Sequence, residues 1–216
     1  MVARRLVILT LAALGMLASP AVGARPVVSV HDLRFQGVVR QGTDRTCGYA
    51  AAATVLKALG LEVDEAQLIR AATGQDGEAS ASVADIGRAV VPWGVRSYPV
   101  LSTWDDLLRY FERYDEPVVA LVDVGRPHFT VVAAMEPRAV YMADPSQGVL
   151  VWSRARFEER WAGVVLFLRP QHGSPPEGSL ARSSLMQAVG RLRARHRLLE
   201  RVQAGGGHGR EGRGGP

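Results

Sequence analysis

Apolar positions follow a helical period in the first half of the chain and a strand-like one in the second. Ala50 to Ala53, Val55, Leu56 and Leu59 predict a helix over residues 47–59, stopped by Gly60. Two more helices are read over 64–73, closed by Gly74, and over 82–91, stopped before Pro92. Thr103 opens a fourth, with Asp106 three residues on as a capping-box variant and Leu107, Leu108 and Phe111 on one face. After Pro117 the runs 118–124, 128–135, 139–143 and 149–152 read as strands, separated by turn-forming Gly, Pro, Asp and Ser. A short helix over 153–161 leads into a last strand over 163–168. Helices first and an antiparallel sheet second predict an α+β fold.

The two ends differ from this middle. Arg4 and Arg5 precede an apolar run from Leu6 to Leu17, and Val22-Gly23-Ala24 suits signal peptidase, so residues 1–24 read as a secretory signal with Arg25 opening the mature chain. The expected location is periplasmic or secreted, or membrane-anchored if the signal is retained. Residues 25–170 form the expected folded domain and 171–179 a linker containing Gly173-Ser174-Pro175-Pro176. Over 180–204 Leu185, Val189, Leu192, Leu199 and Val202 keep helical spacing among six arginines, interrupted by His196, and 205–216 read as a disordered glycine-rich tail. From Gln171 onward the chain no longer looks like core.

Charge follows the same division. The net charge is +5, yet residues 25–170 hold 16 Lys+Arg against 18 Asp+Glu. The basic character belongs to the ends, so the folded part carries no electrostatic footprint for nucleic acid. The basic helix is the expected contact for a secretion-system or membrane partner.

Cys47 is the only cysteine among 216 residues. It is either a small buried hydrophobe or a reactive group, because a single thiol forms no internal disulfide. Its place at a predicted helix start, capped by Thr46, favours the thiolate, and Gly48 would let a substrate backbone approach. A thiolate nucleophile needs a base, and of five histidines only His128, in RPHFTVVAAM, lies at the edge of a core strand. A hairpin turn near Pro137 places Asp144 opposite Thr130 and diagonal to His128, roughly 7–8 Å away at the backbone, within side-chain hydrogen-bonding reach. Asp144-Pro145 also reads as an ordinary turn start. Gln41, shortly before the thiol, could join the Cys47 N–H in holding an oxyanion, or serve as a plain polar loop residue.

Gln41-x5-Cys47-Gly48, then His128 before a β run, then Asp144-Pro145 with Gly148 soon after, resembles the papain-like cysteine peptidases. Within that clan it is similar to the bacteriocin-processing, double-glycine leader peptidases, over roughly residues 36–168. The resemblance implies a papain-like fold with N-terminal helices packed on a C-terminal antiparallel sheet. It assigns Cys47 as nucleophile, His128 as base, Asp144 as its orienting group and Gln41 as oxyanion donor. It further implies an endopeptidase acting after a small residue of a Gly-Gly type site, on a polypeptide that can carry a leader helix. No cofactor or metal is expected, and with no G-x-x-x-x-G-K-[ST] phosphate loop the chain should bind no ATP itself. An exported chain should meet its substrate beyond the inner membrane, for example a functional-amyloid or pilin-like protein. The alternative is a catalytically silent leader-binding or secretion-accessory module, and acyl transfer to an amine would use the same residues.

Overall fold

The computed structural model describes residues 29–172 and 183–205. The predicted signal, most of the linker and the tail beyond Gly205 lie outside the described residues. The first element is a short helix α1 (Val30–Arg34), unpredicted because it spans barely one turn. Three helices follow where periodicity and caps placed them: α2 (Cys47–Ala58), α3 (Glu65–Thr73) and α4 (Val83–Ala89). Capping boxes at Asp64/Gln67 and Ser82/Asp85 begin the last two, and Gly74 ends α3 in the left-handed conformation. The third helix is shorter than predicted, because Pro92 turns Val91–Trp93 into a 3-10 segment.

A six-stranded antiparallel sheet follows, in the order β1-β6-β2-β3-β4-β5. Its strands are β1 (Val95–Leu101), β2 (Val118–Asp123), β3 (Pro127–Glu136), β4 (Ala139–Asp144), β5 (Gly148–Ser153) and β6 (Trp161–Pro170). Helices α5 (Trp104–Arg113) and α6 (Arg154–Arg160) interrupt this order. Strand β1 escaped the sequence reading because it is an edge strand with Pro99 inside it and an exposed second half. Helices-then-sheet is therefore correct except that β1 precedes α5.

Both faces of the sheet are covered, which is why β2 to β4 read as nearly unbroken apolar runs. One face carries α2, whose four consecutive alanines bring it close to β3, with Val131 and Ala133 beneath. The other face packs Trp104, Leu107 and Phe111 of α5 and Phe157 of α6 against Val118, Val132 and Met142 of the sheet.

A last helix, α7 (Ser184–Gly205), corrects the expectation that the chain leaves its core at Gln171. Leu185, Ala188 and Val189 are buried against the α2 face, and Leu192 packs beside them. Burying a side chain such as Leu185 or Val189 contributes about 1.5–3 kcal/mol each. The backbone at Leu185 comes so near Gly37 that a Cβ there would stand 2.2 Å from the Leu185 nitrogen. His196 does not interrupt the helix; it pairs through Nδ1 with the Tyr141 hydroxyl at 3.1 Å, while Arg193 and Arg197 bind Glu136. The basic residues of α7 thus split between a docked face and a free one.

Candidate active site

Cys47 is the first residue of α2, at the sheet end where β3 begins. Thr46 stands at the N-cap position but does not cap; its hydroxyl accepts from the Thr43 N–H at 3.2 Å and donates to the Thr43 carbonyl at 3.0 Å. The first-turn amides consequently remain free of a side-chain cap. Gly48 serves packing, where the sequence suggested room for substrate. A Cβ on it would lie 2.6 Å from the Ala81 Cβ and 3.0 Å from Phe129 Cδ2.

His128 is the second residue of β3, opposite Val122, and only 4% exposed. Asp144 closes β4 and is 2% exposed. The hairpin keeps Val131 opposite Ala143, the register read from the turn near Pro137. A bulge between Val132 and Ala134 then shifts the pairing by one residue toward the turn. His128 and Asp144 therefore share a face, and His128 Nε2 lies 2.8 Å from Asp144 Oδ2. The other carboxylate oxygen accepts from the Ser146 N–H at 2.8 Å, the Ser146 hydroxyl at 2.6 Å and the Gln147 N–H at 3.1 Å. Asp144 is thus both turn-former and histidine partner.

His128 also acts electrostatically on Cys47, so the three buried side chains form one coupled group. Burial alone pushes the Cys47 thiol up, but His128 and the N–H groups of Phe129 and Gly48 bring it below its ordinary value. Burial likewise pulls His128 down, and the bonds to Asp144 and Cys47 outweigh it, raising the imidazole to about 9. Asp144 is pushed up by burial and held below the usual carboxylate range by His128 and Ser146. All three directions favour thiolate, imidazolium and carboxylate together near neutral pH. With Asp144 on Nε2, the nitrogen left to face the sulfur is Nδ1.

Gln41 is held beside this group by its own N–H, which donates to the Pro145 carbonyl at 3.1 Å. Its side-chain Oε1 is buried without a hydrogen-bond partner among the described residues, a condition that buried amides seldom tolerate without a functional reason. The next amide, that of Gly42, donates to both carboxylate oxygens of Glu65, at 2.9 and 3.1 Å. The fold thus brings Cys47, His128 and Asp144 together and ties the Gln41 backbone to Pro145, the residue after Asp144. It adds Ser146, whose place two residues after Asp144 is a readable Asx-turn signal, and Phe129 and Glu65, for which the sequence carries no signal. Among the described residues no group of three or more His, Cys, Asp or Glu side chains is arranged to hold a metal ion.

A helix that presents its first residue to a histidine and an aspartate on an antiparallel sheet defines a papain-like peptidase domain. More narrowly, a profile of the Peptidase C39 family matches residues 36–173, and the chain belongs to that family. It is 31% identical over 192 residues to the probable functional amyloid protease FapD of Pseudomonas aeruginosa, covering 81% of this chain and 82% of that protein. The Pseudomonas fluorescens protein of the same name is 36% identical over 152 residues, 67% of this chain and 66% of that one. Among solved structures, the peptidase domain of Streptococcus ComA, a bifunctional ABC transporter, superposes with a TM-score of 0.56 at 24% identity, covering 63% of this chain and 99% of that domain. A double glycine motif protease from an AMS/PCAT transporter, solved with its leader peptide, gives 0.51 at 20% identity over 63% of this chain and 95% of that one. These two structures speak for the fold. Helix α7 lies outside the stretch that the family profile covers.

Proposed function

We propose that the chain is an exported cysteine endopeptidase that cleaves a polypeptide after a small residue at a Gly-Gly type site. The observation that carries this reading is the buried 2.8 Å His128–Asp144 bond, on the histidine that draws the Cys47 thiol down. In the reaction the Cys47 thiolate attacks the scissile carbonyl carbon, forming a C–S bond while the carbonyl electron pair moves to oxygen. The Cys47 N–H and the Gln41 amide hold that oxyanion. Collapse expels the amine, which takes the proton from His128, and the neutral imidazole then draws a proton from water as it hydrolyses the thioester. Asp144 keeps the ring oriented in both halves.

Export is supported by the signal pattern over residues 1–24, and the substrate class by the relatives described as functional amyloid proteases and as a double glycine motif protease. The test is to incubate the purified mature chain with exported polypeptides encoded beside it and to read new N-termini by mass spectrometry. The expected result is one new N-terminus following a small residue, absent when Cys47 has first been alkylated. Cleavage that survives alkylation would overturn the reading.

The far end of α7 supports a second contact of the enzyme, with the anionic face of a membrane. Leu198 and Val202 are 61% and 65% exposed, on the stretch of helix that also carries exposed Arg195 and Arg201. Next to them Arg138, Arg197, Glu200, Arg201 and Ala204 line a hollow of about 370 Å³. No helix among the described residues is long and apolar enough to cross a bilayer, so the contact would be interfacial. Phosphatidylglycerol vesicles should sediment the mature chain, and Leu198→Asp/Val202→Asp should lose most of that binding. Equal binding by both proteins, or none by either, would remove the contact.

A further inference from the structure

Between Val39 and Thr46 the chain has no regular structure, yet it must hold Gln41 at a fixed place beside Cys47. Three of the bonds that fix this segment lie at Gln41 and the two residues after it. Gln41 itself is tied to Pro145, Gly42 to Glu65, and Thr43 to the Thr46 hydroxyl. The first and third use groups within the catalytic turns. The second reaches 23 residues along the chain, to the first residue of α3. That helix is a firm anchor, because Leu68 and Ile69 are buried in the core and the Asp64/Gln67 capping box fixes its start. Both carboxylate oxygens of Glu65 converge on one amide, and a carboxylate is a stronger acceptor than a neutral oxygen.

We propose that Glu65 is a positioning residue for the oxyanion site, gripping the Gly42 N–H so that the Gln41 side-chain amide is aimed at the oxygen of the attacked carbonyl. The proposal rests on the reading of Cys47 as an acyl-transfer nucleophile. The partly exposed Glu65 carboxylate is thereby committed to a loop amide instead of to water alone. A loose loop costs catalysis far more than it costs folding, because displacement of a catalytic group by about 1 Å can lower a rate by orders of magnitude. Glu65 touches neither Cys47 nor His128, so it should affect only the step that builds negative charge on oxygen.

Two small probes separate that step from thiolate formation. Iodoacetamide alkylates Cys47 by displacement at a saturated carbon and forms no oxyanion. The p-nitrophenyl ester of N-acetylglycine acylates it through a tetrahedral oxyanion, which collapses to a thioester and expels p-nitrophenolate. With the mature chain, Glu65→Ala should slow acylation about tenfold and leave alkylation at pH 7 within about twofold, as removal of oxyanion donors costs roughly 10²–10³ when complete. Glu65→Gln keeps an acceptor oxygen and should recover most of the rate. In a Gln41→Ala background, Glu65→Ala should add no further loss, because its effect passes through the amide already removed. Acylation at the unaltered rate in Glu65→Ala, equal losses in both reactions, or losses that multiply in the double variant would each overturn the proposal. If the unaltered chain is alkylated but never acylated, the nucleophile reading falls and the Glu65 role with it.

Discussion

Cys47→Ala is expected to abolish peptide cleavage while leaving the fold in place. Removal of a nucleophile leaves only binding and charge stabilisation to act on water, and in enzymes of this chemical type the loss is on the order of 10⁴-fold or more. The fold should survive because the residue opens a helix of buried alanines, to which one more alanine is a conservative addition. The pair of measurements is therefore decisive: product N-termini by mass spectrometry, and the thermal midpoint by circular dichroism. Lost cleavage with a midpoint shifted by no more than a few degrees is the expected result. A Cys47→Ala protein that still cleaves would exclude thiolate attack, and a collapsed midpoint would return Cys47 to the role of a packing residue.

The same residue shows how far sequence alone carries the argument. Its helix was legible because alanines, a terminating glycine and spacing agree, and the three helices after α1 are placed within a few residues. His128 and Asp144 were legible as a pair because a hairpin register converts sequence separation into distance, and the bulge lies on the turn side of the site, where it does not disturb them. Gln41 was legible by its proximity to Cys47. Elements that depend on remote partners were not. Strand β1 exists because β6 pairs with it from Val95–Pro170 to Leu101–Val164, and nothing in residues 95–101 announces that partner. Helix α7 carries an apolar stripe visible in the sequence, but only the finished sheet shows that α2 leaves Tyr141 and its neighbours for it to cover. Glu65 belongs to the same class, since a side chain bonded to a loop amide leaves no pattern. Thr46 erred in the other direction, being a residue of capping type whose hydroxyl finds a nearer partner in Thr43.

Asp144→Asn should separate orientation from folding. The asparagine can keep its oxygen on the Ser146 and Gln147 amides, so the turn is retained. What changes is the group facing His128 Nε2, where an acceptor 2.8 Å away is replaced by an N–H donor. The neutral ring must then place its proton on Nδ1, the nitrogen that should take the proton of the Cys47 thiol. A loss of roughly 10²–10⁴-fold in kcat follows from a tautomer of the wrong sense. The pH dependence should move as well. In the unaltered chain the imidazolium is held by Asp144 and Cys47, so activity that needs it should decline only as pH rises through about 9. The sign is that of a raised pKa, so the stabilising contribution of His128 is complete below its ordinary value of 6.5 and is lost as pH climbs through about 9. Asp144 bounds the window from below, because a lowered pKa stabilises the fold above the carboxylate range and is lost as pH falls through it. With asparagine in place, the alkaline limb of the residual peptide cleavage should move down toward neutrality, and the stability gained between these limits should shrink. An unchanged alkaline limb in Asp144→Asn would mean that Cys47 alone holds the imidazolium, and that Asp144 serves the turn without serving the histidine.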